Sequence, residues 1–422
     1  MISIITPTNN PQWLPDLYES LLAQTTQEWE WIVVSNGNNK LPPYFDDERI
    51  KTFCNNPDTG NIGALKNYAA MKCTGEIIVE VDHDDLLTID CLEKVARTFK
   101  DNPDASMVYS NCIYLDIETG EQTNIYKPYW GWKYSKGKVM DHDVLIPQLP
   151  LLEPQNFSRI WFAPNHVRAW RTKDYWKIGG HNKELKVADD HELIIRQYLE
   201  GKIVAIDEVL YIQRSHRDSY SHSGTDTNKE IQQLQWANYN QYIYLMAEKW
   251  AADNSLMKID LCGGVNRFKD YTTMDLQNAD IIGDLNETWD LEDNSVGVLR
   301  AHDAVEHFKD PIHTMNEIWR VCKHGAFVII DVPSTGGYGA FQDPTHRSYW
   351  NKNSWWYYTH PNYRKFIEGA GCICKFQNIR TTEYYPSKWH EDNKILYTSA
   401  HLIAIKDGPD FHGENHWRNI HA

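Results

Sequence analysis

No stretch of this chain approaches the ~18 consecutive apolar residues that read as a membrane span. Its longest apolar runs, such as Ile77-Ile78-Val79 and Phe327-Val328-Ile329-Ile330, are strand-sized. Met1 runs straight into strand-like Ile2-Ser3-Ile4-Ile5, so no signal peptide and no transmembrane segment are expected. The eight cysteines are scattered without a Cys-x-x-Cys pair, which reads as free thiols in a reducing cytoplasm. Positive charge is short as well: 42 Lys and Arg stand against 58 Asp and Glu, a net charge of −16. That balance disfavours nucleic acid, whose phosphates are gripped by clustered Lys and Arg. Internal repeats are also lacking.

What is abundant is aromatic surface, with 17 Trp and 24 Tyr in 422 residues. Flat rings of this kind pack cores and also stack against sugars and nucleobases. At roughly 100–200 residues per domain, the length implies two or three domains. Short apolar runs alternate with amphipathic stretches. Residues 2–5, 31–34, 77–81 and 106–109 read as strands; 14–22, 64–71 and 90–99 read as helices. This predicts an α/β domain over 1–224 with a mostly parallel sheet, its less regular part from 111 onward supplying loops around a pocket. Residues 225–254 read as a helical linker. A second strand–helix alternation over 255–406 predicts another α/β nucleotide-binding domain, and 407–422 a polar tail.

The first constellation is Glu76-Ile-Ile-Val-Glu-Val-Asp82-His83-Asp84-Asp85, an apolar strand ending in three carboxylates. Ligands of open α/β sheets bind at the carboxyl ends of strands. Carboxylates crowded there repel one another unless a cation sits among them, and a hard divalent metal bridging a diphosphate meets that need. The same turn also reads as a solvated acidic turn ahead of a helix. A second acidic pair, Asp189-Asp190, opens a helical run and reads either as an N-terminal cap or as a base facing a cleft. Trp161, Trp170 and Trp176 read as core or as sugar platforms. The lone His166 and His181 read as surface or satisfied core groups.

These motifs occur in order with Ser3-Ile-Ile-Thr6-Pro7-Thr8-Asn9-Asn10, Asn61-Ile-Gly63-Ala-Leu-Lys66-Asn67, Gly179-Gly180, Ala188-Asp189-Asp190-His191-Glu192 and Leu210-Tyr211-Ile-Gln-Arg214-Ser-His216. The series resembles the family-2 glycosyltransferases of the GT-A fold over about residues 1–222. The resemblance implies a nucleotide-diphospho-sugar donor, a glycan or glycosylated acceptor, and Mn2+ or Mg2+. It implies Pro7 and Asn36 at the donor's base and ribose, with Lys66 and Asp84 also on the donor. It implies Asp85, Asp82 and His216 at the metal and Asp190 as the general base. Where the family usually has acidic residues, this chain has Ser35 and Asn36.

The second constellation is Met257-Lys-Ile-Asp260-Leu261-Cys262-Gly263-Gly264, a strand entering a tight turn, followed by a strand ending in Asp275. Such a turn lets a ligand approach the backbone, and the carboxylate suits ribose hydroxyls. A structural hairpin reads equally well. With Asp280-Ile-Ile-Gly-Asp284-Leu285, His302-Asp-Ala-Val-Glu306-His307, Glu317-Ile-Trp-Arg320-Val and Val328-Ile-Ile-Asp-Val-Pro333, the series resembles class I S-adenosylmethionine methyltransferases. The resemblance implies a Rossmann-like fold and S-adenosylmethionine held by Gly263, Gly264, Asp275, Asp284, Leu285 and Ala301. Cys262 stands where the family prefers glycine. Transfer to oxygen needs a base, and His302, His307 and His346 are candidates.

The combined expectation is a two-part enzyme that transfers a sugar with inversion and methylates a glycan. Two other readings stay open. One is an active glycosyltransferase with a degenerate methyltransferase-like binding module. The other is a phage-type modifier of nucleic-acid bases.

Overall fold

The computed structural model describes residues 1–36, 46–55, 61–126, 132–150, 152–157, 164–216, 225–264 and 267–406. The expected polar tail and Trp161 lie outside these residues. The chain divides into two compact units, Met1–Tyr242 and Ile243–Ala422, and the division falls within the helix Thr225–Asp253. Among the described residues no helix is long and apolar enough to cross a membrane.

The first unit contains strands β1 (Ile2–Thr8), β2 (Trp29–Asn36), β3 (Ile50–Asn55), β4 (Ile77–Glu80), β5 (Leu86–Leu87), β6 (Ala105–Asp116), β7 (Tyr134–Val139), β8 (His142–Pro147), β9 (Arg168–Arg171) and β10 (Lys202–Ser215). Eight of them form one sheet in the order β3-β2-β1-β4-β9-β6-β10-β5, and β7 and β8 form a separate hairpin. Every residue of β1 is buried, as expected for a strand covered by helices on both faces. Its side chains divide between two cores. Ile2 and Ile4 pack with Leu14, Leu17 and Leu21 of the helix Leu14–Leu22, and Ile5 packs with Leu65 and Ala69 of the helix Ile62–Ala70.

The sheet is less parallel than the alternation predicts. β3, β2, β1 and β4 run parallel, but β9 is antiparallel to both β4 and β6, and β5 is antiparallel to β10. β9 lies inside the region read as loops. Its sequence Arg168-Ala-Trp-Arg171 has no apolar run to betray a strand, yet three of its four residues are buried. β10 is hidden for another reason: its pairing with β6 shifts register at three places, which breaks the two-residue alternation.

The second unit contains β11 (Met257–Leu261), β12 (Thr272–Asp275), β13 (Ile281–Ile282), β14 (Val296–His302), β15 (Cys322–Pro333), β16 (Phe376–Tyr384) and β17 (Tyr397–Ala404). Their order is β13-β12-β11-β14-β15-β17-β16, parallel from β13 to β15, with β17 antiparallel to β15 and β16. The chain runs outward from β11 to β13 and then returns to the other side of β11 as β14. That reversal opens a crevice at the carboxyl ends of β11 and β14. The helix Pro311–Val321 packs Met315, Ile318 and Val321 into the unit's core, and its Asp310 cap accepts from the backbone N–H groups of Ile312 and His313.

Gly63 shows how tightly the first unit is closed. A Cβ there would lie 2.0 Å from the Asn182 carbonyl oxygen, so the helix Ile62–Ala70 can approach the segment carrying His181 only without a side chain. Gly63→Ala is expected to cost about 1–3 kcal/mol. Denaturant unfolding should show the lowered midpoint, and an unchanged midpoint would mean that the contact yields freely.

Candidate active sites

In the first unit the chemistry gathers where β4 ends. Glu80 is 0% exposed, so its carboxylate must be neutralised by protein groups. Lys66 Nζ lies 2.6 Å from Oε1, with His166 Nε2 at 3.6 Å and Arg168 Nη1 at 3.8 Å, while His181 Nε2 is 3.6 Å from Oε2. Arg168 is the direct antiparallel partner of Glu80 across β9 and β4. The same cations hold the start of the helix Asp189–Glu200. Lys66 Nζ is 3.2 Å from Asp189 Oδ2 and Arg168 Nη1 is 2.7 Å from Asp190 Oδ2.

The charges resolve accordingly. Burial pushes Glu80 up, but Lys66, the two histidines and Arg168 outweigh it and hold the carboxyl well below its usual range. Asp190 is treated alike: burial raises it, and Arg168 and Lys66 leave it below the ordinary value. For Asp189 burial prevails and the carboxyl is raised. Asp190 therefore stays ionised at neutral pH. The backbone N–H of His191 donates to its Oδ1 at 2.7 Å and fixes its direction.

The acidic turn follows at once. Asp85 is 2% exposed and braced against β10: Tyr211 Oη–H donates to its Oδ2 at 2.7 Å and the Arg214 backbone N–H to its Oδ1 at 2.8 Å. Burial and the neighbouring Asp84 and Asp82 raise its carboxyl well above the usual range. His216 Nε2 lies 2.8 Å from Asp84 Oδ2, and the Arg214 guanidinium donates to the Asp84 carbonyl. Asp82 keeps a 35% exposed carboxylate. Glu80, Asp82 and His166 also bring one ligand-type atom each within 4.8 Å of one another.

The expected site residues thus fall on one edge of the sheet. Pro7 in β1, Asn36 at the end of β2 and the turn after β4 occupy the carboxyl ends of neighbouring parallel strands. Lys66 is placed differently from a donor-facing lysine: it is buried in ion pairs with Glu80 and Asp189. Trp170 is core, packed edge-on against Tyr175 and His181. The sequence reading missed Glu80, Arg168, Tyr211 and the joint role of His166 and His181. The one available signal was a charged residue inside the apolar run that forms β4.

In the second unit, a Cβ on Gly263 would meet Asp260 Oδ2 at 2.3 Å and one on Gly264 would meet Asp275 Oδ2 at 2.9 Å. The turn after β11 therefore forms a bare-backbone cradle beside the carboxylate that ends β12. Asp260 is held by Arg300 across β11 and β14, Nη1 to Oδ1 at 2.7 Å. Cys262 takes a left-handed φ of +56°, at a cost of about 1–2 kcal/mol for a residue with a Cβ, which is why glycine suits that position. Leu285 is buried beside exposed Asp284, whose carboxylate accepts from the Asn286 backbone N–H at 2.9 Å. Ala301 is buried at the register position of Leu261.

His302, at the end of β14, has Nδ1 3.8 Å from Asp331 Oδ2 and stacks on Tyr397. The Asp331 carboxylate beside it holds its pKa above the ordinary imidazole value. His307 and His346 lie apart from that pair, with ring centroids 5.0 Å from each other. Glu306 lies close to both, one ligand-type atom from each of the three within 4.8 Å of the others, and burial raises its carboxyl to about 8.

Residues 3–152 match the family model for glycosyl transferase family 2, and residues 242–330 match that for a methyltransferase domain. The chain joins a family-2 glycosyltransferase domain to a class I methyltransferase domain. An uncharacterized glycosyltransferase of Methanocaldococcus jannaschii is 28% identical over 189 residues, 42% of this chain and 63% of that one. The chondroitin synthase of Escherichia coli is 23% identical over 237 residues, 54% of this chain and 31% of that one. The chain thus spans less than two thirds of the length of either relative. Among solved structures, residues 1–349 of S. aureus TarS in complex with UDP-GlcNAc overlay with a TM-score of 0.43 at 17% identity, covering 60% of this chain and 72% of that one.

The glycine cradle makes a direct prediction. Gly264→Ala puts a methyl 2.9 Å from the Asp275 carboxylate, so calorimetry should show S-adenosylhomocysteine bound about tenfold more weakly, a loss of ~1.4 kcal/mol. Unchanged affinity would remove this turn from the cofactor site.

Proposed function

We propose that the first unit transfers a sugar, with inversion, from a nucleotide-diphospho-sugar to a glycan or glycosylated acceptor. The second unit, on this reading, methylates an oxygen of the same class of product from S-adenosylmethionine. The observation that carries the proposal is Asp190 held 2.7 Å from Arg168, whose guanidinium also lies 3.8 Å from Glu80, the residue that His166 links at 3.6 and 3.7 Å to Asp82 of the acidic turn. A base and a cation-binding turn thus border one buried cluster of charge.

Mn2+ or Mg2+ fits the turn. Burial first, and then the neighbouring Asp84 and Asp82, raises the Asp85 carboxyl, so a cation among these carboxylates would relieve their repulsion, and hard oxygen donors suit these ions. Asp84, His216 and Asp82 would hold the ion, with Asp85 bracing the turn on Tyr211. The cation would neutralise the departing diphosphate. Asp190 takes the acceptor hydroxyl proton as the acceptor oxygen bonds to the anomeric carbon and the bond from that carbon to the diphosphate breaks. Pro7 and Asn36 border the donor's base and ribose, while Lys66 acts one step back by neutralising the carboxylates beneath the site.

In the second unit S-adenosylmethionine supplies an activated methyl group. Gly263 and Gly264 would admit it to the backbone, Asp275 would receive its ribose hydroxyls, and Asp284, Leu285 and Ala301 would border its adenine and open side. His302 accepts the acceptor proton, held in place by Asp331 and Tyr397.

Two outcomes test this. Asp190→Asn should lower sugar transfer about 10²–10⁴-fold while leaving donor binding intact; transfer near the wild-type rate removes Asp190 from its role. Asp331 keeps His302 protonated to higher pH, so the basic form accumulates only as pH rises through that raised value. Asp331→Asn should move the rising limb of the methylation pH profile to lower pH, and a limb that stays in place would exclude His302 as the base.

A further inference from the structure

The second unit contains a group of side chains that the methyl-transfer reading leaves without a use. Glu306 is 2% exposed, and neither of its carboxylate oxygens has a hydrogen-bond partner among the described residues. An ionised carboxylate in that position is costly unless something positive meets it. Two histidines flank it: one ligand-type atom from each of Glu306, His307 and His346 lies within 4.8 Å of the other two.

The surrounding hydrogen bonds fix the tautomers of both rings. His346 Nδ1 is 3.0 Å from the Ala340 carbonyl oxygen, which can only accept, so Nδ1 carries the hydrogen. Thr345 Oγ1 donates its single hydrogen to Asp343 Oδ1 at 2.6 Å. It must therefore accept from His307 Nδ1, 3.1 Å away. Both rings are left with a lone pair on Nε2. Metal-ligating histidines are characteristically anchored through their second nitrogen in this way. The backbone adds rigidity, because the carbonyl of Glu306 accepts from the N–H groups of Arg347 at 2.7 Å and Ser348 at 2.9 Å, tying the segment that carries His346 to the residue it faces.

We infer that Glu306, His307 and His346 form a divalent-cation site of two imidazoles and one carboxylate, separate from the acidic turn of the first unit. This donor set selects first-row transition ions over Ca2+, which prefers oxygen alone. Asp343, whose Oδ2 is 3.9 Å from His346 Nε2, lies near enough to add a further oxygen. The site follows β14 on the edge where the glycine turn follows its parallel neighbour β11. A cation there sits on the acceptor side of the cofactor cradle, where it would hold an acceptor oxygen. His307 and His346 then act as ligands rather than bases. The existence of the site stands on its own geometry; its use in methyl transfer rests on the function proposed above.

The test counts metal in the full chain. Metal-stripped protein carrying Asp84→Asn, which weakens the acidic turn, is titrated with Mn2+ alone and followed by calorimetry and the electron paramagnetic signal of free Mn2+. One equivalent should still bind. Adding Glu306→Gln, which keeps the side chain's shape, or His307→Ala, which changes a half-buried residue, should weaken that equivalent at least tenfold. Retained S-adenosylhomocysteine binding shows that the unit is folded. Equal Mn2+ affinity with and without Glu306→Gln, or no binding to the Asp84→Asn protein at all, overturns the assignment. Because the readout is metal and not product, its failure leaves the methyltransferase reading standing.

Discussion

A single buried carboxylate organises the first unit. Glu80 ends β4 in the middle of the sheet with no access to water, and an uncompensated charge there would cost several kcal/mol. Lys66, Arg168, His166 and His181 converge on it from the helix Ile62–Ala70, from β9 and from two connecting segments. In meeting Glu80, the same cations are placed to hold Asp189 and Asp190. The helix that presents Asp190 is thereby fixed relative to the strand that presents Asp82, Asp84 and Asp85. Geometry that chemistry requires is thus imposed by charge that the fold has to balance.

The two units use the carboxyl edge of a sheet in opposite ways. In the first, carboxylates are abundant and nearly all are answered by arginine, lysine, histidine or tyrosine, leaving Asp82 partly open to solvent. In the second, the ligand-facing edge is largely bare backbone at Gly263 and Gly264, with Asp275 beside it. Cys262 in the left-handed region shows that this turn is held in a conformation its own residue resists. Glu306 stands out there because it is buried and unanswered, the reverse of Glu80.

Both strand-to-turn motifs were legible in the sequence. An apolar strand that stops at Asp82 and one that stops at Gly263 announce themselves because apolar run and turn chemistry change together within a few residues. The α/β class followed from the same alternation. What stayed hidden depended on contacts across the sheet. Nothing in the sequence around Arg168 marks it, and only the antiparallel insertion of β9 beside β4 makes it the partner of Glu80. His166 and His181 read as isolated groups because 86 or more residues separate each from Glu80 along the chain. Asp85 reads as a metal ligand by resemblance or as part of a solvated acidic turn, yet Tyr211, 126 residues later, encloses it. Glu306 lay inside a recognised motif, but its lack of a partner is visible only once His346 folds back against it.

The central claim is that Glu80 and Lys66 are one coupled unit on which the site is built. A double-mutant cycle with Glu80→Gln and Lys66→Met, read by denaturant unfolding with hydrogen exchange on β4, tests it most directly. Each single change should cost about 3–5 kcal/mol because it strands a buried charge. The double change should cost less than the sum by about 2 kcal/mol or more. Costs that add within ~0.5 kcal/mol would show the two side chains to be independent and would contradict the account.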